Sequence, residues 1–229
     1  MHLILFDIDG TLLDSNHLEA VCFIKSIHEI FGITEIERDW AYYKEVTDRG
    51  IAKQLVEEQL QRSPHQSELQ TLETVFLSHL TPLLEEQTIS LMPGARALID
   101  ILIGKSNIAL GLATGSFKRS AELKLKAANL NLHHFPMASC NDHYNRSQII
   151  RRAIRKSEKY YHSNRFQTVT YVGDGFWDYE AARALNLNFI GVHNTSLGHP
   201  LSMNEVTQLV QDFNDVDKFL SYVLKTVSL

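Results

Sequence analysis

The chain has 229 residues, 44% of them hydrophobic and 21% charged, with a formal net charge of -5 at pH 7. That length supports a full core in one or two domains, and that balance is ordinary for a globular protein in water. There is no basic field for a nucleic acid and no apolar stretch long enough for a bilayer, and the two cysteines, Cys22 and Cys140, fit no metal or redox spacing.

The first element is the apolar run Leu3-Ile4-Leu5-Phe6, which reads as a strand buried on both faces of a parallel sheet. It starts almost at Met1, leaving no room for a signal peptide, and with thiols suited to a reducing compartment this predicts a cytoplasmic protein. Asp7 and Asp9 follow, with Ile8 between them and Gly10-Thr11 after. Alternation along a strand places both acids on one face, at the carboxyl end where open α/β sheets bind ligands. An isolated Asp-Gly would mark only a turn. Two like charges directly after a buried strand must be neutralised, most simply by a metal cation.

From Ser15 to about Leu91 the periodicity is helical. Ala20, Phe23, Ile24, Ile27 and Ile30 recur at three and four, and Gly32 stops that helix. A second helix is predicted over 36–46 and a third from about Gly50 to Leu60. Ser63-Pro64 opens a fourth, with Leu69, Leu72, Phe76, Leu80 and Leu83 on one face. After Met92-Pro93-Gly94 the rhythm alternates: helix 95–103, strand 107–113, helix 118–129, strand 135–139, helix 147–161, strand 168–173, helix 178–185, strand 188–192 and a helical tail. This predicts an α/β fold, a doubly wound, mostly parallel sheet built from residues 1–14 and 92–229, with residues 15–91 as an inserted helical domain. Asn145-Arg146-Ser147 and Asn194-Thr195-Ser196 match a glycosylation pattern that has no meaning in a cytoplasmic protein.

Two further strand ends carry polar groups. Leu110 to Ala113 runs into Thr114-Gly115-Ser116 before a helix, an arrangement that gathers unpaired N–H groups for an anion, although Ser116 alone would read as an N-cap. Val172-Gly173 runs into Asp174-Gly175-Phe176-Trp177-Asp178, where Asp178 reads equally well as the N-cap of the next helix, and Trp177 reads as packing.

Leu5 to Asp14, with Thr114-Gly115-Ser116 and Asp174 in the same order, resembles the motifs of the haloacid dehalogenase-like hydrolases over almost the whole chain. The resemblance implies that Asp7 is a nucleophile forming an aspartyl phosphate and that Asp9 is the general acid and base. The family's dehalogenases and phosphonatases lack the second carboxylate, so Asp9 argues for phosphate esters. Thr114, with the amides of Gly115 and Ser116, would hold the phosphoryl oxygens. Magnesium would sit on Asp7, Asp174 and the backbone carbonyl of Asp9, with Asp178 supporting it from behind or through water. Residues 15–91 would be a type 1 cap, and the general layout is phosphoglycolate-phosphatase-like.

The third motif departs from pattern, because no Lys-Pro pair follows the strand at Phe135 to Ser139. Arg146 is the candidate in its place, although a cation at a helix N-terminus is disfavoured unless acids and a phosphate hold it there. Two unit charges about 4 Å apart are worth roughly 4 kcal/mol at an effective dielectric near 20, and Arg grips phosphate in bidentate fashion. Arg151, Arg152, Arg155 and Lys156 read as the solvated face of that helix. In the helical insertion, Thr47-Asp48-Arg49-Gly50 resembles in position the cap loop that reads substrate, with Arg49 as the contact; N-capping by Thr47 or Asp48 explains the same residues nearly as well.

The expectation is therefore a magnesium-dependent phosphatase acting on a small phosphorylated metabolite, a monomer or small homo-oligomer with no nucleic-acid or membrane partner. A phosphomutase of the β-phosphoglucomutase type shares all four motifs, and a non-catalytic binding protein on the same scaffold is disfavoured by retention of Asp7, Asp9 and Asp174.

Overall fold

The computed structural model describes residues 1–193, 201–202 and 206–224. Its centre is strand β1 (His2–Phe6), whose side chains leave alternately to the two sides. Leu3 and Leu5 join one apolar cluster, and Ile4, Phe6 and Ile8 join the other, all at most 1% exposed. β1 is followed by a two-residue strand β2 (Leu13–Asp14), then helix α1 (Asn16–Phe31), a 3-10 turn at Trp40–Tyr42, α2 (Asp48–Leu60) and α3 (Gln66–Glu86). Strand β3 (Ser90–Leu91) returns antiparallel to β2, so the helical segment leaves and re-enters through one two-stranded neck. The chain continues through α4 (Ala95–Ile103), β4 (Ile108–Ala113), α5 (Lys118–Ala127), β5 (Met137–Ala138), α6 (Arg146–Tyr160), β6 (Thr168–Gly173), α7 (Phe176–Ala184), β7 (Asn188–Val192), β8 (Leu209–Val210) and α8 (Val216–Val223).

Six strands form one parallel sheet in the order β5-β4-β1-β6-β7-β8. From β1 the chain steps outward through β4 and β5, then crosses back to β6 on the other side, so β1 lies at the topological switch where such sheets open a crevice. Phe6 is in register with Leu112 and with Val172, which brings the loops after β1, β4 and β6 to the same edge. Among the described residues no helix is long and apolar enough to cross a membrane.

The helix predicted over 36–46 does not form. Asp39 accepts the Ala41 amide and closes a single 3-10 turn, after which Tyr43 is extended, buried, and donates its hydroxyl to the Glu37 carbonyl. Trp40 packs edge-on against Phe23 of α1, so the aromatic residues serve as plugs and not as a helical stripe. The strand expected over 135–139 shrinks to Met137–Ala138, and the helical tail contains β8 before α8. The short β2–β3 pair was not anticipated. Asn194-Thr195-Ser196 lies outside the described residues. Asn145, of the other such pattern, is the N-cap of α6, its side chain accepting the Gln148 amide.

The helical segment is not held apart from the sheet. Leu72, Phe76 and Leu80 of α3 are fully buried and belong to the same apolar cluster as Leu3, Leu5 and Ala113 of the sheet. Phe76 meets Phe117, just ahead of α5, with ring centroids 5.7 Å apart. At roughly 25 cal/mol per Å² of apolar surface, a buried Phe contributes on the order of 2 to 3 kcal/mol, so this seam fixes the segment over the strand ends.

Candidate active site

After Phe6 the strand ends in a tight loop. Asp7 still donates its amide to the Val172 carbonyl, and Gly10, at φ 73°, turns the chain so that the Leu12 and Leu13 amides both reach back to the Ile8 carbonyl. Asp7 is 4% exposed, and its Oδ1 accepts the Ile8 amide. Its Oδ2 lies 3.2 Å from Nη1 of Arg146, the first residue of α6. The same Nη1 is 3.5 Å from Oδ1 of Asp178, and Nη2 donates to the Val46 carbonyl at 2.7 Å. An acid at the end of β1, another in the first turn of α7 and a carbonyl from the helical segment thus compensate the placement of a cation at a helix N-terminus.

Asp7, Asp174 and Asp178 each offer a carboxylate oxygen within 4.8 Å of the others, and all three are buried. Burial pushes the Asp7 carboxyl well above the usual carboxylate range; Arg146 opposes this, and the charges of Asp178, Asp174 and Asp9 add to it. Three clustered acids against one guanidinium make a hard, oxygen-only, electron-rich site that fits magnesium. The Asp178 oxygens accept the Tyr171 hydroxyl at 2.9 Å and the Gly175 amide at 3.1 Å. It therefore closes the N-terminal turn of α7 from the third position inside the helix, Gly175 being the N-cap, so the N-cap reading of Asp178 does not hold, while its carboxylate stands beside those of Asp7 and Asp174. Gly173 is needed there, since a Cβ on it would lie 2.6 Å from the Asp178 carboxylate.

Asp9 is held separately. Its carboxylate accepts Ser15 Oγ at 2.5 Å, Ser116 Oγ at 2.7 Å and Lys124 Nζ at 2.6 Å. Burial alone would raise its pKa, but the Lys124 charge and these hydrogen bonds bring it below the ordinary value. Ser116 thus spends its side chain on Asp9, while α5 starts without a side-chain cap. Thr114 Oγ1 accepts the Ser116 amide at 3.2 Å.

Asp7, Asp9, Thr114, Gly115, Ser116, Arg146 and Asp174 all line one cavity of about 90 Å³, room for several waters. Trp177 stands on its wall, while Asp178 lies behind it. The structure does not bring Arg49 there. Its guanidinium points along the surface to Gln66 Oε1 at 2.8 Å, and the residues of that loop on the cavity are Val46, Thr47 and Asp48. Thr47 does cap α2, accepting the Gly50 amide, and Asp48 is tied to the β4 loop through its amide to the Gly115 carbonyl and its carboxylate to the Phe117 amide. Lys156 lies away from the cavity, bonded to Asp142 and the Met137 carbonyl.

Sequence reasoning missed Lys124 and Glu19. Lys124 is fully buried on α5 and bridges Asp9 and Glu19 of α1. The signal was present: Lys124 falls on the stripe Phe117, Ala121, Leu125, Ala128, and Glu19 lies three and four residues before Cys22 and Phe23. Burial pushes Glu19 up to about 7 against the opposing pull of Lys124, whereas Lys124 is driven further up by its two acids and stays charged.

A model of a hydrolase family described as haloacid dehalogenase-like hydrolase matches residues 1–186. Among solved structures, a hydrolase from Pseudomonas syringae superposes with a TM-score of 0.73 at 20% identity, over 96% of this chain and 98% of that one. A β-phosphoglucomutase from Clostridium difficile gives 0.70 at 18% over 98% and 100%. A predicted phosphoglycolate phosphatase from Haemophilus somnus gives 0.66 at 17% over 96% and 98%. No curated protein matches the chain.

Proposed function

The chain belongs to the haloacid dehalogenase-like hydrolases, and from that premise we propose that it is a magnesium-dependent phosphatase of small phosphomonoesters, working through an aspartyl phosphate on Asp7. The observation that carries this reading is the meeting of Asp7 with Arg146, Asp174 and Asp178 at the strand ends, beside an independently anchored Asp9. Asp7 is the nucleophile, and Arg146 holds its carboxylate and counters charge on the phosphoryl oxygens. Thr114 and the Gly115 amide receive those oxygens, and the Ser116 amide joins them only by leaving its bond to Thr114 Oγ1. Asp7 and Asp174, with the Asp9 carbonyl and Asp178 in support, would hold a magnesium ion, which when bound would supply the charge neutralisation that lets Asp7 act ionised.

Asp9 moves the protons. In its present hydrogen bonds it is ionised, the form that takes a proton from the water hydrolysing the acyl phosphate. To protonate the leaving alkoxide it must first gain a proton, and a bound phosphoryl dianion raises its pKa in that direction. The helical segment 15–91 acts as a cap, closing the cavity through Val46, Thr47 and Asp48 and excluding water.

Phosphate release from p-nitrophenyl phosphate with magnesium tests the reading. Turnover should vanish on chelation and in Asp7→Asn, while Asp9→Asn should retain part of it because p-nitrophenolate needs little protonation. Turnover indifferent to excess chelator would refute the metal assignment. Stoichiometric phosphoryl transfer to a sugar phosphate, in place of release to water, would make the protein a mutase.

A further inference from the structure

Three donors hold the Asp9 carboxylate, and they divide unequally between its oxygens. Oδ1 accepts both Ser15 Oγ and Lys124 Nζ, at 2.5 and 2.6 Å, whereas Oδ2 accepts Ser116 Oγ alone, at 2.7 Å. A carboxylate oxygen has two lone pairs, so Oδ1 is full, and Oδ2 keeps one site that no hydrogen bond among the described residues takes. The two oxygens also have different surroundings. Ser116 lines the cavity together with Asp9, while Ser15 and Lys124, 2% and 0% exposed, do not. Oδ1 therefore belongs to the interior and Oδ2 to the cavity. Both interior donors are committed to this arrangement. Ser15 stands at the N-cap of α1 yet makes no side-chain cap, its hydroxyl going to Asp9 instead. Lys124 has a second anchor in Glu19 of α1, so its ammonium is tied to the helical segment as well as to Asp9.

Resting on the phosphatase reading, we propose that Lys124 is a positioning residue for Asp9: it bars Oδ1 from carrying a proton and reserves Oδ2 for the proton taken from the hydrolytic water. An ammonium has three donors and no acceptor, whereas a serine hydroxyl can turn to donate or to accept. With Lys124 in place, a proton on Oδ1 would meet an N–H bond head-on, while a proton on Oδ2 meets only the rotatable Ser116 hydroxyl. In the hydrolytic half of the reaction, water attacks the phosphorus of the aspartyl phosphate. The bond from phosphorus to the Asp7 oxygen breaks, its electron pair returns to the Asp7 carboxylate, the water proton passes to Asp9 Oδ2, and inorganic phosphate leaves. Without Lys124, Ser15 alone cannot enforce this choice of oxygen, and the carboxylate loses its fixed orientation toward the water. Formation of the aspartyl phosphate from an ester whose leaving group needs little protonation does not depend on that choice.

The test is turnover of p-nitrophenyl phosphate with magnesium, followed in the first turnover and in steady state. Lys124→Met should lower kcat about tenfold or more and keep kcat/KM within about threefold, because kcat/KM ends with formation of the aspartyl phosphate whereas kcat includes its hydrolysis. A burst of p-nitrophenolate approaching one per active site should precede the slow phase, and the phosphorylated chain should be visible by intact mass after acid quenching. Should the single variant fail to fold, Lys124→Met/Glu19→Gln, which removes the cation together with its second anchor, should show the same split and the same burst. A lesion of packing alone lowers kcat and kcat/KM together and accumulates no phosphorylated chain. That result in a folded variant overturns the role of Lys124 and leaves the phosphatase reading intact. No release of p-nitrophenolate by the wild type overturns both.

Discussion

Lys124→Met isolates the largest electrostatic feature that the family motifs do not describe. Nζ lies 2.6 Å from Asp9 Oδ1 and also contacts Glu19, with the lysine side chain fully buried and the acids 11% and 13% exposed. At that Asp9 distance the gross attraction is about 6 kcal/mol with an effective dielectric near 20. Desolvation offsets much of it in the native protein, but removing the cation alone leaves two acids facing each other without compensation, which costs about 3 to 5 kcal/mol. For a chain of this length that corresponds to a fall in Tm of about 6 to 20 °C. The pH dependence has a defined sign. Asp9, held low in the wild type, would join Glu19 above the ordinary range, so the folded variant binds more protons than its unfolded chain. Its stability then rises as pH falls, and the gap to wild type narrows between pH 8 and pH 5.5. Calorimetric unfolding at both pH values checks this, with Lys124→Met/Glu19→Gln expected to recover part of the loss. A Tm within 2 °C of wild type at pH 8, or a gap that widens on acidification, would refute the reasoning.

Arg146→Ala should lower kcat about a hundredfold or more, because a buried donor aimed at the reacting group is lost, and Arg146→Lys should recover only part, since an ammonium cannot span Asp7 and the Val46 carbonyl as the guanidinium does. Gly173→Ala should cost about 1 to 3 kcal/mol by overpacking and reduce turnover with it, as the added Cβ would displace the Asp178 carboxylate; thermal unfolding and phosphate release should fall together. Arg49→Ala should change kcat/KM less than threefold on any ester, because its side chain is spent on Gln66 at the surface, and a tenfold loss would return this residue to the substrate site.

The strand-terminal acids were legible because their information is local. A buried strand shows as an unbroken apolar run, its end as Gly, and a carboxylate placed there has few purposes, so Asp7, Asp9 and Asp174 were found together with the sheet that carries them. Arg146 too was found by position, although only the fold shows that Asp178 and the Val46 carbonyl help hold it. The tertiary structure decided whatever depends on pairs distant in the chain. Lys124 stands in a helix rich in charge, and only its docking against α1, more than 100 residues earlier, turns it into the counter-ion of Asp9 and Glu19. In the loop after Trp40 the choice of residues was likewise tertiary: Thr47 caps its helix as sequence allows, but whether Arg49 or Asp48 faces the cavity depends on the rotation of α2 against the β4 loop. Trp40 and Tyr43 overrode helical spacing for the same reason, since burying these two rings, Trp40 partly against α1 and Tyr43 against the segment's own backbone, is worth more than the few tenths of a kcal/mol per residue by which propensities differ, while Tyr42 stays exposed.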